Sequence, residues 1–248
     1  MIDFHSHILP GLDDGAKDTE TSAAMLDESV RQGVKTIVCT PHYYGKRSSP
    51  AQFKEKRQRA YEKLAPYCPD GVQLRLGAEV YFTTDSVVCH EDLALLAIED
   101  TRYILLELPF LKSFSNRLLN KLSEFIYETG LTPVLAHIER YRAVLENPSV
   151  LYEFQQMGCL FQLNAEAFSL KPTQGFAKTM LSKGLVSAFG SDMHNNDDRA
   201  PNLKTLFDSL QGQETLVQSV FERSGAILND EQISVQPKKV RKFFGKFF

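Results

Sequence analysis

Histidines and carboxylates recur in this sequence at spacings that suit metal binding. His5 and His7 are separated by one residue, so in an extended segment both imidazoles point to the same side. Asp192 and His194 repeat this spacing with a carboxylate and an imidazole. Either pair alone is a weak signal, because such pairs also occur as ordinary core or surface residues.

Further candidate ligands lie at the ends of short apolar stretches. Glu79 and Glu107 close two of these stretches, where an unpaired carboxylate would be costly to bury. The other candidates at stretch ends or in the loop after His7 are His42, His137, Asp13 and Asp14. Imidazole and carboxylate ligands suit manganese, iron or zinc. The set exceeds what one ion needs, and it fits two or three ions.

The apolar stretches predict the elements that position these ligands. Seven of them begin about 26 to 37 residues apart, which suits repeated strand–helix units. They cover residues 2–5, 36–42, 73–79, 103–107, 133–137, 159–164 and 185–192. Chemistry in α/β barrels gathers where the carboxyl ends of the strands converge. We therefore predict an α/β fold with a closed or nearly closed barrel of seven units.

The intervals between the stretches carry helical patterns. Apolar residues repeat at helical spacing over 118–126 and 203–210, and more weakly over 26–34. Residues 43–52 are interpreted as a polar loop, which is either a lid over the site or an ordinary surface loop. No linker precedes about residue 230. We therefore expect a single domain over residues 1–230 and a tail over residues 231–248.

Composition excludes several classes of protein. The 248 residues include 28 basic and 31 acidic side chains, and 43% are hydrophobic, as in ordinary globular proteins. The weak net acidity argues against a general nucleic-acid binder. The first residues do not resemble a signal peptide, and no apolar run approaches the roughly 20 residues of a membrane span. With four isolated cysteines, these features predict a cytoplasmic protein with reduced thiols.

Several motifs, taken in order, resemble one family. They are MIDFHSH at 1–7, DDG at 13–15, RQGVKTIV at 31–38, TPH at 40–42, GAE at 77–79, LLE at 105–107, AHIERY at 136–141 and SDMHN at 191–195. The chain resembles the polymerase and histidinol phosphatase (PHP) family of metal-dependent phosphoesterases. Within that family it is most similar to the bacterial protein-tyrosine phosphatases of capsular and exopolysaccharide operons, the CpsB/CapC type.

The resemblance implies a distorted seven-stranded (β/α)7 barrel, similar to a TIM barrel, with three metal ions. Manganese is the usual metal of this group, with iron or zinc as alternatives. Carried over by residue, the ligands are His5, His7, Glu79 and Asp192 for one ion, Glu79, Glu107 and His137 for the second, and Asp14, His42 and His194 for the third. Many relatives have histidine near position 14. Asp14 is the preferred ligand there, and Asp13 is the alternative.

Such a site predicts phosphoester hydrolysis by attack of a metal-bound hydroxide. Arg140 is the best candidate to bind two phosphate oxygens and neutralise charge on phosphorus. The alternative for Arg140 is an ion pair with Glu139. Arg199 either reaches the same pocket to bind substrate or remains at the surface near Asp197 and Asp198.

Three further expectations concern the chemistry. A general acid is either a metal-bound water or His42, although phenolate leaves readily because the pKa of tyrosine is near 10. No cysteine is followed by arginine at the sixth position, so we expect no phosphocysteine intermediate, and Cys39 is interpreted as a small buried apolar residue. Gln162 and Asn164 either orient a ligand or are satisfied amides at a strand end.

The C-terminal residues 238–248 are basic and aromatic. They hold five basic residues, four phenylalanines and no acidic residue, which leaves 23 basic and 31 acidic residues in 1–237. Such a segment can contact an anionic membrane surface or an acidic partner. The alternative is a disordered tail without a partner.

The resemblance implies a phosphotyrosine-protein phosphatase. Its implied substrate is the phosphotyrosine tail of an autophosphorylating bacterial kinase that regulates capsular or exopolysaccharide synthesis. One alternative is a small-molecule phosphatase such as a histidinol phosphatase, and another is a non-catalytic docking protein. A nuclease is disfavoured, because a nucleic-acid channel requires basic walls and the chain outside the tail is acidic.

Overall fold

The computed structural model describes residues 1–84 and 90–248, without the side chains of residues 90 and 91. Cys89 lies outside the described residues. The strands are β1 (Ile2–Ser6), β2 (Thr36–Cys39), β3 (His42–Tyr43), β4 (Gln73–Leu76), β5 (Glu79–Tyr81), β6 (Tyr103–Glu107), β7 (Thr132–Leu135), β8 (Leu160–Asn164), β9 (Ala188–Gly190), β10 (Lys242–Phe243) and β11 (Lys246–Phe247). Each predicted apolar stretch therefore contains at least one strand.

Eight α-helices are found among the described residues. They are α1 (Thr19–Arg31), α2 (Pro50–Leu64), α3 (Asn116–Thr129), α4 (Arg142–Glu146), α5 (Val150–Gln156), α6 (Gln174–Ser182), α7 (Thr205–Ser209) and α8 (Glu214–Leu228). The strongest predicted stripe, 118–126, lies in α3, whose first turn is capped by Ser115. The predicted loop 43–52 was too long, because α2 already begins at Pro50. Ser49 and Gln52 form a capping box there, and Pro50 occupies the first turn.

The first nine strands form two parallel sheets. One sheet has six strands in the order β3-β5-β6-β7-β8-β9, and the other has three in the order β1-β2-β4. Two predicted stretches each divide between the sheets, since β2 and β3, like β4 and β5, are separated by two residues. The structure is thus an α/β fold with a curled six-stranded parallel sheet, where the sequence predicted a single seven-stranded one.

The two sheets meet where β1 lies beside the end of β9. The backbone N–H of Asp192 donates to the carbonyl of His5 at 2.8 Å, and that of His7 donates to the carbonyl of Met193 at 3.0 Å. Ser6 and Met193 form a parallel bridge at this junction. The junction brings the two predicted metal-binding pairs side by side.

Both faces of the strands are buried. One apolar cluster contains Phe4, Val38, Leu105, Val134 and Ala188 from five different strands, together with Ile227 at the end of α8. Neighbouring residues of the same strands, such as Ile37, Ile104 and Leu135, pack in a second, larger cluster. This alternation explains why the stretches are apolar at almost every position.

The C-terminal tail folds back on the domain as a hairpin. β10 and β11 pair antiparallel around a two-residue turn, in which Phe244 and Gly245 both have positive φ. Val240 is buried, and the ring of Phe247 packs edge-on against Phe176 of α6 at 5.2 Å. Phe243 and Phe244 remain 66% and 90% exposed at the tip.

None of the helices described is both long and apolar enough to span a membrane.

Candidate metal centre

Glu79, the first residue of β5, lies at the centre of four histidines. Its Oε2 is 2.9 Å from Nδ1 of His42 and 3.3 Å from Nε2 of both His5 and His7. Its Oε1 is 2.9 Å from Nε2 of His137. Burial alone would raise the pKa of Glu79. The contacts with the surrounding histidines together lower it by more, so the pKa lies well below the usual range. Glu79 is therefore an ionised, buried carboxylate.

Asp192 closes the other side of this cluster. Its Oδ1 is 3.6 Å from Nε2 of His5 and 3.4 Å from Nε2 of His7. Those two imidazole nitrogens are themselves only 3.1 Å apart. Two imidazole nitrogens and two carboxylate oxygens thus converge on one point, as the ligands of a metal ion do.

Asp14, His42 and His194 form a third corner. Oδ1 of Asp14 is 3.6 Å from Nε2 of both histidines, and Asp14 is itself 65% exposed. Burial, followed by the nearby His7, lowers the pKa of His194 to about 4. Its Nε2 is buried and has no hydrogen-bond partner among the described residues. A neutral imidazole with a free nitrogen is the form that binds a metal.

Glu107, at the end of β6, adds a second carboxylate beside Glu79. Its Oε1 is 3.6 Å from Nε2 of His137. Burial and the charge of Glu79 raise the pKa of Glu107 to about 7. One oxygen of Glu79 and one of Glu107 lie within 4.8 Å of each other, and positive charge between them would favour the ionised form of both. This pair therefore fits a metal site as well.

These residues fit metal ions as a set. Within each of four overlapping groups, one ligand atom per residue lies within 4.8 Å of the others. The groups are His5, His7 and Asp192; His5, Glu79 and His137; His42, Glu79 and Glu107; and His7, Asp14, His42 and His194. All nine predicted ligands occur in these groups, and Asp13 does not.

Asp13 has a different contact from the one considered for it in the sequence. Its Oδ2 accepts hydrogen bonds from Nδ1 of His7 at 2.7 Å and from the backbone N–H of His42 at 2.8 Å. Burial raises the pKa of Asp13, but the bond to His7, the charge of His7 and the backbone N–H bonds of His42 and Gly15 together lower it to about 2. Asp13 therefore orients a candidate ligand, and it fixes which nitrogen of His7 faces the cluster.

Gln162 and Asn164 of β8 link three parts of the site. Oε1 of Gln162 lies 3.1 Å from Nδ1 of His5 and accepts the backbone N–H of His137 at 2.7 Å. Its amide nitrogen donates to Oδ1 of Asn164, and Asn164 donates to Oδ2 of Asp192 at 3.2 Å. These amides hold His5 and Asp192 in place.

The backbone at the site is strained or tightly packed at several points. His137 and Asp192 have positive φ values of 32° and 53°, a conformation that non-glycine residues rarely adopt. A Cβ on Gly190 would lie 2.5 Å from Cβ of His5, and one on Gly15 would lie 2.2 Å from the carbonyl oxygen of His7. The sequence analysis missed both glycines, although Gly15 belongs to the DDG motif.

Two half-exposed arginines border the cluster. Nη1 of Arg140 lies 2.9 Å from Oδ2 of Asp192, and Nη2 of Arg199 lies 2.8 Å from the same oxygen. Their side chains are 42% and 36% exposed. The ion pair considered for Arg140 with Glu139 is not found among the described contacts. Glu139 is instead buried, and burial raises its pKa to about 8.

Cys39 is fully buried in β2, and burial raises the pKa of its thiol. A buried apolar environment of this kind keeps a thiol protonated and inert.

Comparison with known proteins identifies the family. The model of the family described as "Capsular polysaccharide synthesis, CpsB/CapC" matches residues 1–228. The tyrosine-protein phosphatase CpsB of Streptococcus pneumoniae is 36% identical over 217 residues, which cover 84% of this chain and 88% of that protein. The tyrosine-protein phosphatase YwqE of Bacillus subtilis is 32% identical over 265 aligned residues, covering both chains completely. The chain therefore belongs to the CpsB/CapC family.

Solved structures agree with this assignment. One, from work on YwqE of B. subtilis and CpsB of S. pneumoniae as metal-dependent tyrosine phosphatases, is similar with a TM-score of 0.83 and 29% identity, covering 98% of this chain and 100% of the other. A hydrolase of the TatD family from Entamoeba histolytica, 9% identical with a TM-score of 0.55 over 92% of this chain and 97% of the other, shares the fold alone.

Proposed function

We propose that this protein is a metal-dependent phosphotyrosine-protein phosphatase. The observation that carries the proposal is the convergence of five histidines and four carboxylates beside two half-exposed arginines at the strand ends. The family membership and the names of the relatives, which are tyrosine-protein phosphatases, support the same activity. A phosphate bound at such a site meets both positive charge and hydrogen-bond donors.

The ligands would hold three ions, with manganese as the resident metal. His5, His7 and Asp192 with Glu79 would hold one, Glu79, Glu107 and His137 the second, and Asp14, His42 and His194 the third. When bound, such ions polarise a phosphoryl group and lower the pKa of water. The two-sheet arrangement would then be a distorted seven-unit barrel, in which β2 with β3 and β4 with β5 each count as one interrupted strand.

Arg140 and Arg199 would bind the substrate phosphate. Both hold Oδ2 of Asp192, and Oδ1 of that residue faces the histidines. The guanidinium groups are thus aimed at the edge of the ion site and are open to solvent. Arg140 would neutralise the charge that develops on phosphorus. Nε2 of His42 lies 3.6 Å from Oδ1 of Asp14. As an ion ligand this nitrogen would carry no proton, so water at this edge of the cluster would supply the proton to the leaving oxygen.

The substrate would be the phosphorylated tyrosine-rich tail of a bacterial kinase that regulates capsular polysaccharide synthesis, in the cytoplasm. The description of the family supports the connection to capsule synthesis. A peptide chain can reach the site because its arginines are half exposed at the rim.

The C-terminal hairpin would contact the inner face of the membrane. Residues 1–230 would be the catalytic domain and 231–248 an appended segment that carries this contact. Phe243 and Phe244 are exposed at the tip, and five basic residues of 238–248 surround them without an acidic one. Aromatic rings flanked by basic side chains suit the interface of an anionic bilayer.

Hydrolysis of a phosphotyrosine peptide tests the activity. Chelated enzyme is reconstituted with manganese, zinc or magnesium and assayed beside histidinol phosphate and single-stranded DNA. We expect peptide turnover to return with manganese. Preferred turnover of histidinol phosphate would indicate a small-molecule phosphatase, and no turnover with any metal would indicate a docking protein.

Liposome sedimentation tests the membrane contact. The full chain should pellet with vesicles of anionic lipid and not with neutral ones, and Phe243→Ser with Phe244→Ser should abolish pelleting. Tyr127→Ser is the matched control, because Tyr127 is 91% exposed on α3, outside the hairpin. Equal pelleting of the wild type and the double variant would contradict this contact.

A further inference from the structure

Phe110 is an exposed aromatic residue at the edge of the metal centre. It follows β6 and is 51% exposed. Its ring stacks near the imidazole of His137, with centroids 5.8 Å apart and planes 22° apart. The guanidinium carbon of Arg140 lies 5.4 Å from its ring centroid. Phe110 therefore contacts both His137, a candidate metal ligand, and Arg140, which is proposed to bind the substrate phosphate.

The support beneath Phe110 is rigid. Its ring lies 5.3 Å from that of Tyr141, which is fully buried. The hydroxyl of Tyr141 accepts the backbone N–H of Leu108 at 2.9 Å, two residues before Phe110. A ring held in this way presents its exposed edge to solvent at small entropic cost on binding.

Tyr44 occupies a comparable place on another side of the cluster. Its ring is half buried and lies 5.4 Å from the imidazole of His42 and 5.7 Å from the ring of Tyr81. The guanidinium carbon of Arg47 lies 4.5 Å from its centroid. Phe110 and Tyr44 thus each border the cluster with an arginine against the ring.

The two rings border the same ion site. His42 and His137, their respective neighbours, lie 2.9 Å from different oxygens of Glu79. A phosphate held by Arg140 with its ester group toward solvent would place that group beside these rings. An alkyl group there would leave the rings exposed, whereas a phenyl ring would pack against their exposed edges.

We infer that Phe110 and Tyr44 form an aromatic slot that binds the phenyl ring of phosphotyrosine and selects aryl over alkyl phosphates. The inference rests on the proposed phosphatase activity and names the part of the substrate that the rim recognises. Stacking in the slot orients the ring while the phosphate is held below. Discrimination between phosphotyrosine and phosphoserine peptides then comes from ring contacts outside the metal ligands.

Paired peptides test the slot. Peptides that differ only in phosphotyrosine or phosphoserine are hydrolysed by manganese-loaded wild type, Phe110→Ala and Tyr44→Ala. Each variant should raise KM for the phosphotyrosine peptide about three- to tenfold, with kcat nearly unchanged and the phosphoserine rate unaffected. Phe110→Leu, which keeps apolar bulk without a ring, should behave like Phe110→Ala. Tyr127→Ala, exposed on α3, should change nothing.

A binding measurement separates recognition from turnover. Calorimetric titration measures the affinity for a non-hydrolysable phosphonate analogue of the phosphotyrosine peptide. The dissociation constant should rise in the variants by the same factor as KM. Bound manganese per chain should equal that of the wild type. If the wild type is active and the variants keep its ratio of phosphotyrosine to phosphoserine activity, the slot is overturned while the proposed phosphatase function stands. A wild type that does not hydrolyse the phosphotyrosine peptide would overturn the proposed function and the slot with it.

Discussion

The buried cluster around Glu79 and the rim around Arg140 are built in opposite ways. In the cluster, Glu79, His5 and His7 are at most 1% exposed, and each has several fixed partners. At the rim, Arg140 and Phe110 are about half exposed and contact each other. The cluster is thus preorganised by protein contacts, whereas the rim has free surface for a substrate.

This difference separates two kinds of residue. Residues of the cluster are proposed to hold ions, so their loss should remove metal and activity together. Residues of the rim are proposed to recognise substrate, so their loss should reduce activity while the bound metal is retained. Asp192 connects the two regions, because one of its oxygens faces His5 and His7 and the other accepts from Arg140.

The largest effect is expected from Glu79→Gln. The substitution removes the carboxylate charge that four histidines share, so at least one ion should be lost and turnover should fall about a thousandfold. Metal analysis and initial rates on the phosphotyrosine peptide measure both. Retention of full metal content and activity would show that Glu79 is not the centre of the site.

Arg140→Ala should reduce turnover about a hundredfold or more, as loss of one donor to a developing charge does. Bound manganese should stay at the wild-type level. The matched control is Arg142→Ala, because Arg142 is 64% exposed and pairs with Glu146. Loss of manganese in Arg140→Ala would mean that Arg140 supports the metal site, and it would contradict the separation of rim from cluster.

Asp13→Asn should weaken manganese binding about 10- to 100-fold, because the amide no longer holds Nδ1 of His7 as a carboxylate does. Competition with a chelator of known affinity measures the change. An affinity equal to that of the wild type would mean that Asp13 does not support the cluster.

Gly190→Ala should destabilise the protein by about 1–3 kcal/mol, because its Cβ would lie 2.5 Å from Cβ of His5. Denaturant unfolding measures the change in free energy. The control is Gly175→Ala, since a Cβ on Gly175 meets nothing within 4 Å. Equal stability of the two variants would contradict the close packing beneath His5.

Glu139→Gln should change stability least near pH 5, and its effect should grow as pH rises. The folded pKa of Glu139 is raised to about 8 from 4.5, so between these values the folded state keeps a proton that the unfolded state has lost. Wild-type stability should therefore fall as pH rises through this window, by up to about 1.4 kcal/mol per unit of separation. Glu139→Gln lacks this contribution.

Thermal unfolding of the chelated proteins at several pH values tests the sign. The melting temperature of Glu139→Gln should rise relative to that of the wild type as pH increases from about 5 to about 8. A constant difference across this range would mean that Glu139 ionises normally in the folded state.

The sequence predicted the cluster better than the rim. His5 and His7 were predicted to share one side because residues two apart in a strand do so, and their nitrogens lie 3.1 Å apart. Glu79 and His137 were predicted to lie close together because the carboxyl ends of parallel strands converge. Their side chains are 2.9 Å apart. Phe110 and Tyr44 carry no such pattern, because exposed aromatic residues in loops follow no periodicity.

The conformation of two local turns could not be predicted from the sequence patterns. Asp13 and Asp14 occupy one loop, and only its folding directs Asp13 to His7 and Asp14 to His194. The apolar stretch 36–42 is broken after Cys39, shortly before Pro41, which has no N–H to donate to a strand partner. The sequence therefore located the stretches that contain the parallel strands, but it did not predict how these strands divide between two sheets.

The most direct test of the account is the manganese content of three purified proteins, each reconstituted after chelation. We predict about three ions per chain in the wild type and in Arg140→Ala, and fewer in Glu79→Gln, with full turnover of the phosphotyrosine peptide only in the wild type. Equal manganese in all three proteins, or wild-type turnover without bound metal, would contradict it.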